Sequence, residues 1–130
     1  MTSIENVVRR FLDGYGQALS AGDLPAIVNS WDTPALVLSD QGARMVSEAA
    51  EVEQFFAGAV EWYRAQGVLA TRPGTVEVEK LSERLVSVEA RWSVIDTSSA
   101  EKPSEHSHYI LSIADDGQPH IRVAIALAIE

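Results

Sequence analysis

The strongest constraint on this chain is a change of hydrophobic period close to Gly67. Ahead of it, apolar residues recur mainly at three- and four-residue steps, the period of helices packed on one side; beyond it they alternate, the period of strands. Ile4, Val7, Val8, Phe11, Leu12, Tyr15, Ala18 and Leu19 form one helical stripe, with Ser3 as N-cap, Glu5 in the first turn and Gly22 as the stop. Asp23 caps a second, short helix that tolerates Pro25 in its first turn. Leu24, Ile27, Val28 and Trp31 give that helix its inner face, and Thr33-Pro34 ends it. Residues 35–39 (ALVLS) read as a short strand, 40–43 (DQGA) as a turn and 44–46 (RMV) as a second short strand. A third helix starts at a Ser47 cap, carries Glu48 and Glu51 in its acidic first turn, and ends at Gly67. Its stripe is Val52, Phe55, Phe56, Ala59 and Tyr63, with Trp62 at the edge.

After a loop over 68–74, TVEVE alternates over 75–79. In 84–96, Val86, Val88, Ala90, Trp92 and Val94 share one face and Ser87, Glu89, Arg91 and Ser93 the other. A loop over 97–104 leads to a strand over 105–114, a hairpin signal at 115–118, and a closing strand over 119–130. Three helices followed by antiparallel strands make an α+β fold, and the 130 residues suit one domain. A two-residue turn at Asp116-Gly117 would pair Asp115 with Gln118, Leu111 with Arg122, Tyr109 with Ala124 and Ser107 with Ala126, all on one face. His106, His108, Ile110, Ile121, Val123, Ile125, Leu127 and Ile129 then share the opposite face. A three-residue turn would swap the faces. A closing strand that is apolar on both faces needs a cover for the second, and another copy of the chain is the simplest one.

Composition narrows the function classes. Nineteen acidic against ten basic residues, a net charge of −9, leave no basic cluster for a phosphate backbone or an anionic membrane. The absence of cysteine removes thiol nucleophiles and thiolate metal sites. His106 and His108 share a strand face, yet zinc requires a third protein ligand and His120 falls on the other side, so no metal is expected. There is no G-x-S-x-G, G-x-G-x-x-G or P-loop, and no cofactor is implied. The start MTSIENVVRR lacks the features of a secretory signal, and no apolar run approaches a membrane span; a cytoplasmic protein is expected.

The N-terminal helix running into ALSAGDLPAIVNSW (18–31), a third helix with VEQFF (52–56), and four alternating strands resemble the NTF2-like superfamily over nearly the whole chain. The ketosteroid isomerase and SnoaL-like branches are the most similar. The resemblance implies a curved sheet that wraps the helices into a cone open to an apolar pocket, and a homodimer through the outer sheet face. It also implies site residues. Tyr15 matches a tyrosine that donates to a dienolate oxygen in the isomerases, which also need a carboxylate base and a protonated carboxyl as second donor. Those two positions fall on Ser39 and Ser107. Neither serine can serve, and Asp40 could replace the base only if the strand bulged, since neighbouring residues point to opposite faces. Steroid isomerisation is therefore not expected. Arg122 falls on a pocket-lining position; its partner would be Asp13, Asp40, Glu105 or an acidic ligand, unless the register slips and puts it on the outer rim. Trp31, Phe55, Trp92 and Tyr109 would wall the pocket, or would simply be core.

Tyr15 lies between Gly14 and Gly16 inside a helix, and each glycine costs about 1 kcal/mol relative to alanine. Close approach of a strand or ligand beside the ring is one reason to keep them. The hydroxyl either donates to a ligand or bonds a backbone carbonyl in the core. Three functions stay open: an enzyme of isomerase, cyclase or hydratase type with Tyr15 as donor, Arg122 as electrostatic stabiliser and Asp40 as base; a non-catalytic module for a small apolar or acidic molecule; and a dimeric scaffold with a filled cavity. The first requires a carboxylate of perturbed pKa at the pocket.

Overall fold

The computed structural model describes residues 3–127. Three helices, α1 (Ile4–Ala21), α2 (Leu24–Asn29) and α3 (Ala49–Ala65), pack on one face of a curved six-stranded sheet. The strands are β1 (Trp31–Ser39), β2 (Gly42–Val46), β3 (Val68–Lys80), β4 (Leu85–Asp96), β5 (Glu101–Ile113) and β6 (Pro119–Leu127). Their order is β2-β1-β6-β5-β4-β3, and every pairing is antiparallel except β1 with β6. Between helices and sheet lies one core, which includes Val8, Leu12, Tyr15, Ile27, Val88, Ala90, Trp92, Tyr109, Leu111 and Ile121. No described helix is long and apolar enough to cross a membrane.

α1 follows its sequence signals. Ser3 caps it by accepting from the Asn6 N–H, and Gly22 closes it in the left-handed region, its N–H reaching back to Ala18 and Leu19. Asp23 caps α2 through Ala26, with Pro25 in the first turn. That helix stops at Asn29, ahead of the expected Thr33-Pro34, because the chain is drawn into the sheet: Ser30 O accepts from Ile121 N–H at 2.7 Å, and Trp31 already pairs with Ile121. Trp31 is therefore a strand residue. For α3 the cap is Glu48 rather than Ser47; Glu51 instead turns its carboxylate back to accept from Ser47 N–H. The α3 stripe is also rotated, burying Val52 and Val60 and leaving Phe55 half exposed.

Two expected loops are mostly strand. Residues 68–74 open β3, with Pro73 opposite Trp92 and a bulge between Pro73 and Val76. An edge strand accepts proline because one row of its N–H groups has no partner to lose. Similarly, β5 begins at Glu101, leaving only 97–100 as loop; Pro103 pairs with Ser93 beyond a second bulge. Ala128, Ile129 and Glu130, assigned to the closing strand, lie outside the described residues, as does the face of Ile129.

The β5–β6 register corrects the expected one near the turn. The loop has three residues, Asp115 to Gly117, with Ala114 N–H donating to Gln118 O, so Leu111 faces Ile121 and not Arg122. A bulge then restores the expected register: Tyr109 faces Ala124 and Ser107 faces Ala126. Arg122 is the extra residue of that bulge. One added residue in the loop and one in the strand cancel, which keeps Ile121 and Ala124 inward together.

Candidate functional site

β5 builds the floor of the site. Its inner row alternates Glu105, Ser107, Tyr109 and Leu111, opposite Trp92, Ala90, Val88 and Val86 of β4. α1 lays Tyr15 across this row and α3 adds Phe56, Ala59 and Tyr63. The two helices and the inner face of the sheet enclose an open cavity of about 230 Å³. Its aromatic wall is continuous: Tyr15 meets Phe56 and Trp92 edge-on at 6.3 and 6.1 Å, and Trp31 lies 5.9 Å from Phe56.

Gly16 makes this arrangement possible. A Cβ there would sit 3.1 Å from both Thr71 O and the Trp92 ring, whereas one at Gly14 would meet nothing within 4 Å. Close approach of β3 and Trp92 to α1 is thus a property of Gly16 alone. Ser20, one turn on, donates to Gly16 O at 2.7 Å and accepts from Thr71 N–H at 2.9 Å, tying the helix to the strand.

The polar chemistry lies in two tryptophan–tyrosine pairs. Trp31 Nε1 donates to the Tyr15 hydroxyl at 3.1 Å, and Trp92 Nε1 donates to the Tyr109 hydroxyl at 3.0 Å. An indole N–H can only donate, so each phenol oxygen accepts and its own proton remains available to donate. Burial pushes the pKa of Tyr15 well above its ordinary value, with smaller contributions from Tyr109 and Glu105. Burial raises Tyr109 too, with Glu105 adding to it. Both phenols are therefore neutral donors at physiological pH. The backbone-carbonyl partner considered for Tyr15 is replaced by the indole of Trp31.

Glu105 stands at the mouth. Water reaches one side of it, but the surrounding protein desolvates the carboxyl and raises its pKa above the usual value, an effect that the Ser107 hydroxyl partly offsets. Desolvation followed by the charge of Glu105 also raises Tyr63.

The residues singled out from the sequence divide clearly. Tyr15, Trp31, Phe55, Trp92, Ser107 and Tyr109 all line the cavity. Ser39 and Asp40 do not: Ser39 ends β1, and Asp40 and Gln41 form the two-residue β1–β2 turn, where Ser39 Oγ accepts from Gln41 N–H. No bulge turns Asp40 inward. Arg122 is also outside the lining. Its guanidinium donates to Asp32 at 2.9 Å and to Pro34 O at 3.0 Å, filling the gap where β1 swings away from β6 between Trp31 and Leu36. The imidazoles lie on the outer face, His106 against Glu89 at 2.5 Å and His108 against Ser87 at 2.6 Å.

Two charged cavity residues escaped sequence reading as site groups, Glu105 and Arg44. Stepping back by twos from Tyr109 reaches Glu105, which had entered only as a partner for Arg122. Arg44 is in phase with Val46 on a strand too short to show a period.

A family model described as NTF2-like protein (DUF6841) matches residues 5–128. The chain belongs to this NTF2-like family. Solved structures share its fold at low identity. An NTF2-like protein of unknown function from Shewanella oneidensis superposes with a TM-score of 0.72 at 17% identity, covering 95% of this chain and 98% of its own. An NTF2-like protein with a cystatin-like fold from Novosphingobium aromaticivorans gives 0.75 at 14%, covering 97% and 82%. A candidate ketosteroid isomerase from Shewanella frigidimarina gives 0.71 at 10%, covering 96% and 98%. No curated protein matches the chain. In this NTF2-like chain, as the low identities require, any activity has to be argued from the cavity itself.

Proposed function

We propose that this NTF2-like protein binds a small, mostly apolar carbonyl compound and catalyses proton transfer on it, as an enzyme of isomerase, cyclase or hydratase type. The observation that carries the reading is the pair of phenols, each polarised by an indole N–H and each left with a proton to donate, in one cavity with a carboxyl of raised pKa. Tyr15 and Tyr109 would hold a carbonyl oxygen, and ionised Glu105 would remove a proton from the adjacent carbon. The C–H electron pair becomes the new C=C bond and the carbonyl electrons move to oxygen, where the two donors stabilise the enolate. Protonated Glu105 then returns the proton to another carbon, or to a leaving hydroxyl. The cavity, about 230 Å³, is below the roughly 300–1,000 Å³ of pockets for drug-sized ligands, which favours one- or two-ring molecules over steroids.

The test is exchange of α-protons of an aryl methyl ketone into deuterated water, followed by NMR. Tyr15→Phe is expected to lower the enzyme-dependent rate by about 10²–10³-fold. Its stability cost is about 1 kcal/mol, since half-buried Trp31 can turn its N–H toward water. Exchange that continues undiminished in the variant rejects a donor role for Tyr15. A non-catalytic binder is the second reading; ketone binding without any wild-type exchange would favour it.

We also propose a homodimer through the outer sheet face. Support comes from the row Leu36–Val123–Ile110, apolar residues that alternate outward from the inward Val37, Ala124 and Tyr109. Sedimentation should give a dimer for the wild type and a monomer for Val123→Glu. A monomeric wild type at micromolar concentration removes the proposal.

A further inference from the structure

At the other end of the cavity, Arg44 is the single basic residue among those that line it, and Glu105 the single acidic one. Arg44 projects from β2, an edge strand, with its guanidinium 6.0 Å from the centre of the Phe55 ring. It forms no ion pair among the described residues, whereas Arg9, Arg72, Arg84, Lys102 and Arg122 each have a carboxylate partner. Phe55, half exposed, holds the planar cation against the rim without neutralising it. A guanidinium that faces an apolar cavity and has no internal counter-charge suits a carboxylate, which it can grip with two parallel hydrogen bonds.

Register fixes where that grip would lie. Arg44 pairs with Val37, Val37 with Ala124, and Ala124 with Tyr109, so the four form one transverse row across β2, β1, β6 and β5. Arg44 and Tyr109 are separated by three strand spacings, about 14 Å between backbones, and their side chains lean over the same concave face. The cavity is therefore bipolar: a cation at one end, two phenol donors at the other, and an apolar aromatic wall between them. Resting on the carbonyl-binding reading given above, we infer that the ligand is an oxo acid, a compact aromatic or cyclic molecule with a carboxylate at Arg44 and its carbonyl oxygen at Tyr15 and Tyr109. The anion site predicted from the sequence at Arg122 moves to Arg44, because Asp32 already occupies Arg122. General attraction would not produce such selectivity, since a net charge of −9 repels anions from most of the surface.

A matched pair of rigid probes tests this: 4-acetylbenzoate, which carries its carboxylate opposite a ketone, and its neutral methyl ester. Calorimetric titration of the wild type is expected to give about tenfold tighter binding of the acid, as a charge-assisted contact at a partly exposed site allows. The preference should shrink at high salt. In Arg44→Gln the two affinities should converge to within about twofold through loss of acid binding, with the ester unchanged. Arg44→Lys, which keeps the charge but not the fork, should retain part of the preference. Equal binding of acid and ester by the wild type, or a preference that survives Arg44→Gln, overturns the assignment while leaving the carbonyl cavity in place. If neither probe binds, both the oxo-acid assignment and the small-molecule reading fall.

Discussion

Glu105→Gln is expected to reduce enzyme-dependent α-proton exchange by about 10²–10⁴-fold, the range of a lost general base, while the ketone still binds. The amide keeps the shape and hydrogen-bonding reach of the side chain at the mouth of the cavity but cannot accept the proton. In the wild type the rate should rise with pH as Glu105 ionises, with an inflection above the ordinary carboxylate value because the folded protein raises this group. The same shift predicts a stability signature of opposite sense. A carboxyl whose pKa is higher folded than unfolded binds its proton more tightly in the native state. Its contribution is fully present below the unfolded pKa and is lost as pH rises through the folded pKa. Glu105→Gln removes that loss, so the variant should gain stability relative to wild type on passing from acid to neutral pH. Urea unfolding at several pH values measures it. A variant that keeps its exchange rate, or becomes less stable relative to wild type as pH rises, rejects Glu105 as a desolvated base.

How much of this could be read from the sequence depends on the range of the determining interactions. α1 was legible from cap to cap because its stripe, Ser3 and Gly22 are local signals. The end of α2 was not, since pairing of Ser30 and Trp31 with Ile121 depends on a strand 90 residues later. The first residues of β3 and the start of β5 were hidden by Pro73 and Pro103, which read locally as breakers and are accommodated by bulges. At the β5–β6 hairpin two one-residue features were hidden, a longer loop and a bulge at Arg122. Because they cancel, the faces of Ser107, Tyr109, Ala124 and Ala126 came out as expected while that of Ile121 did not.

The site shows the same division. Aromatic walls could be named because bulk and periodicity both point inward at Trp92 and Tyr109. Residues chosen by position in a family pattern fared differently: Tyr15 lines the cavity, but Asp40 lies in a turn and Arg122 is held by Asp32 and Pro34. Charged residues are the hardest to place, since one charge on a strand is equally compatible with rim and pocket until its partner is known. Glu105 is in phase with Tyr109 in the sequence, whereas Arg44 could be recognised only once the register put it over the same cavity.

The paired glycines around Tyr15 offer the sharpest stability contrast, because the same substitution should act with opposite sign two residues apart. Gly14→Ala is expected to stabilise by up to about 1 kcal/mol: the position is exposed, its helical backbone is ordinary, and a Cβ there would meet nothing within 4 Å. Gly16→Ala is expected to destabilise by about 1–3 kcal/mol, the cost of overpacking, despite the better helix propensity of alanine. Its Cβ would press on Thr71 O and on the Trp92 ring at 3.1 Å, and neither is a flexible tip that can swing aside. Thr71 O belongs to a paired strand, and the buried Trp92 is held through its indole N–H to Tyr109. The displacement therefore reaches the site. As Trp92 shifts, Tyr109 loses alignment with the N–H that polarises it, and Gly16→Ala should lower α-proton exchange while Gly14→Ala leaves it unchanged. Thermal unfolding of the two variants, read beside their exchange rates, checks both halves. If Gly16→Ala raises stability as much as Gly14→Ala does, then the helix, β3 and Trp92 have slack between them, and the tight seating of the tyrosine pair is wrong.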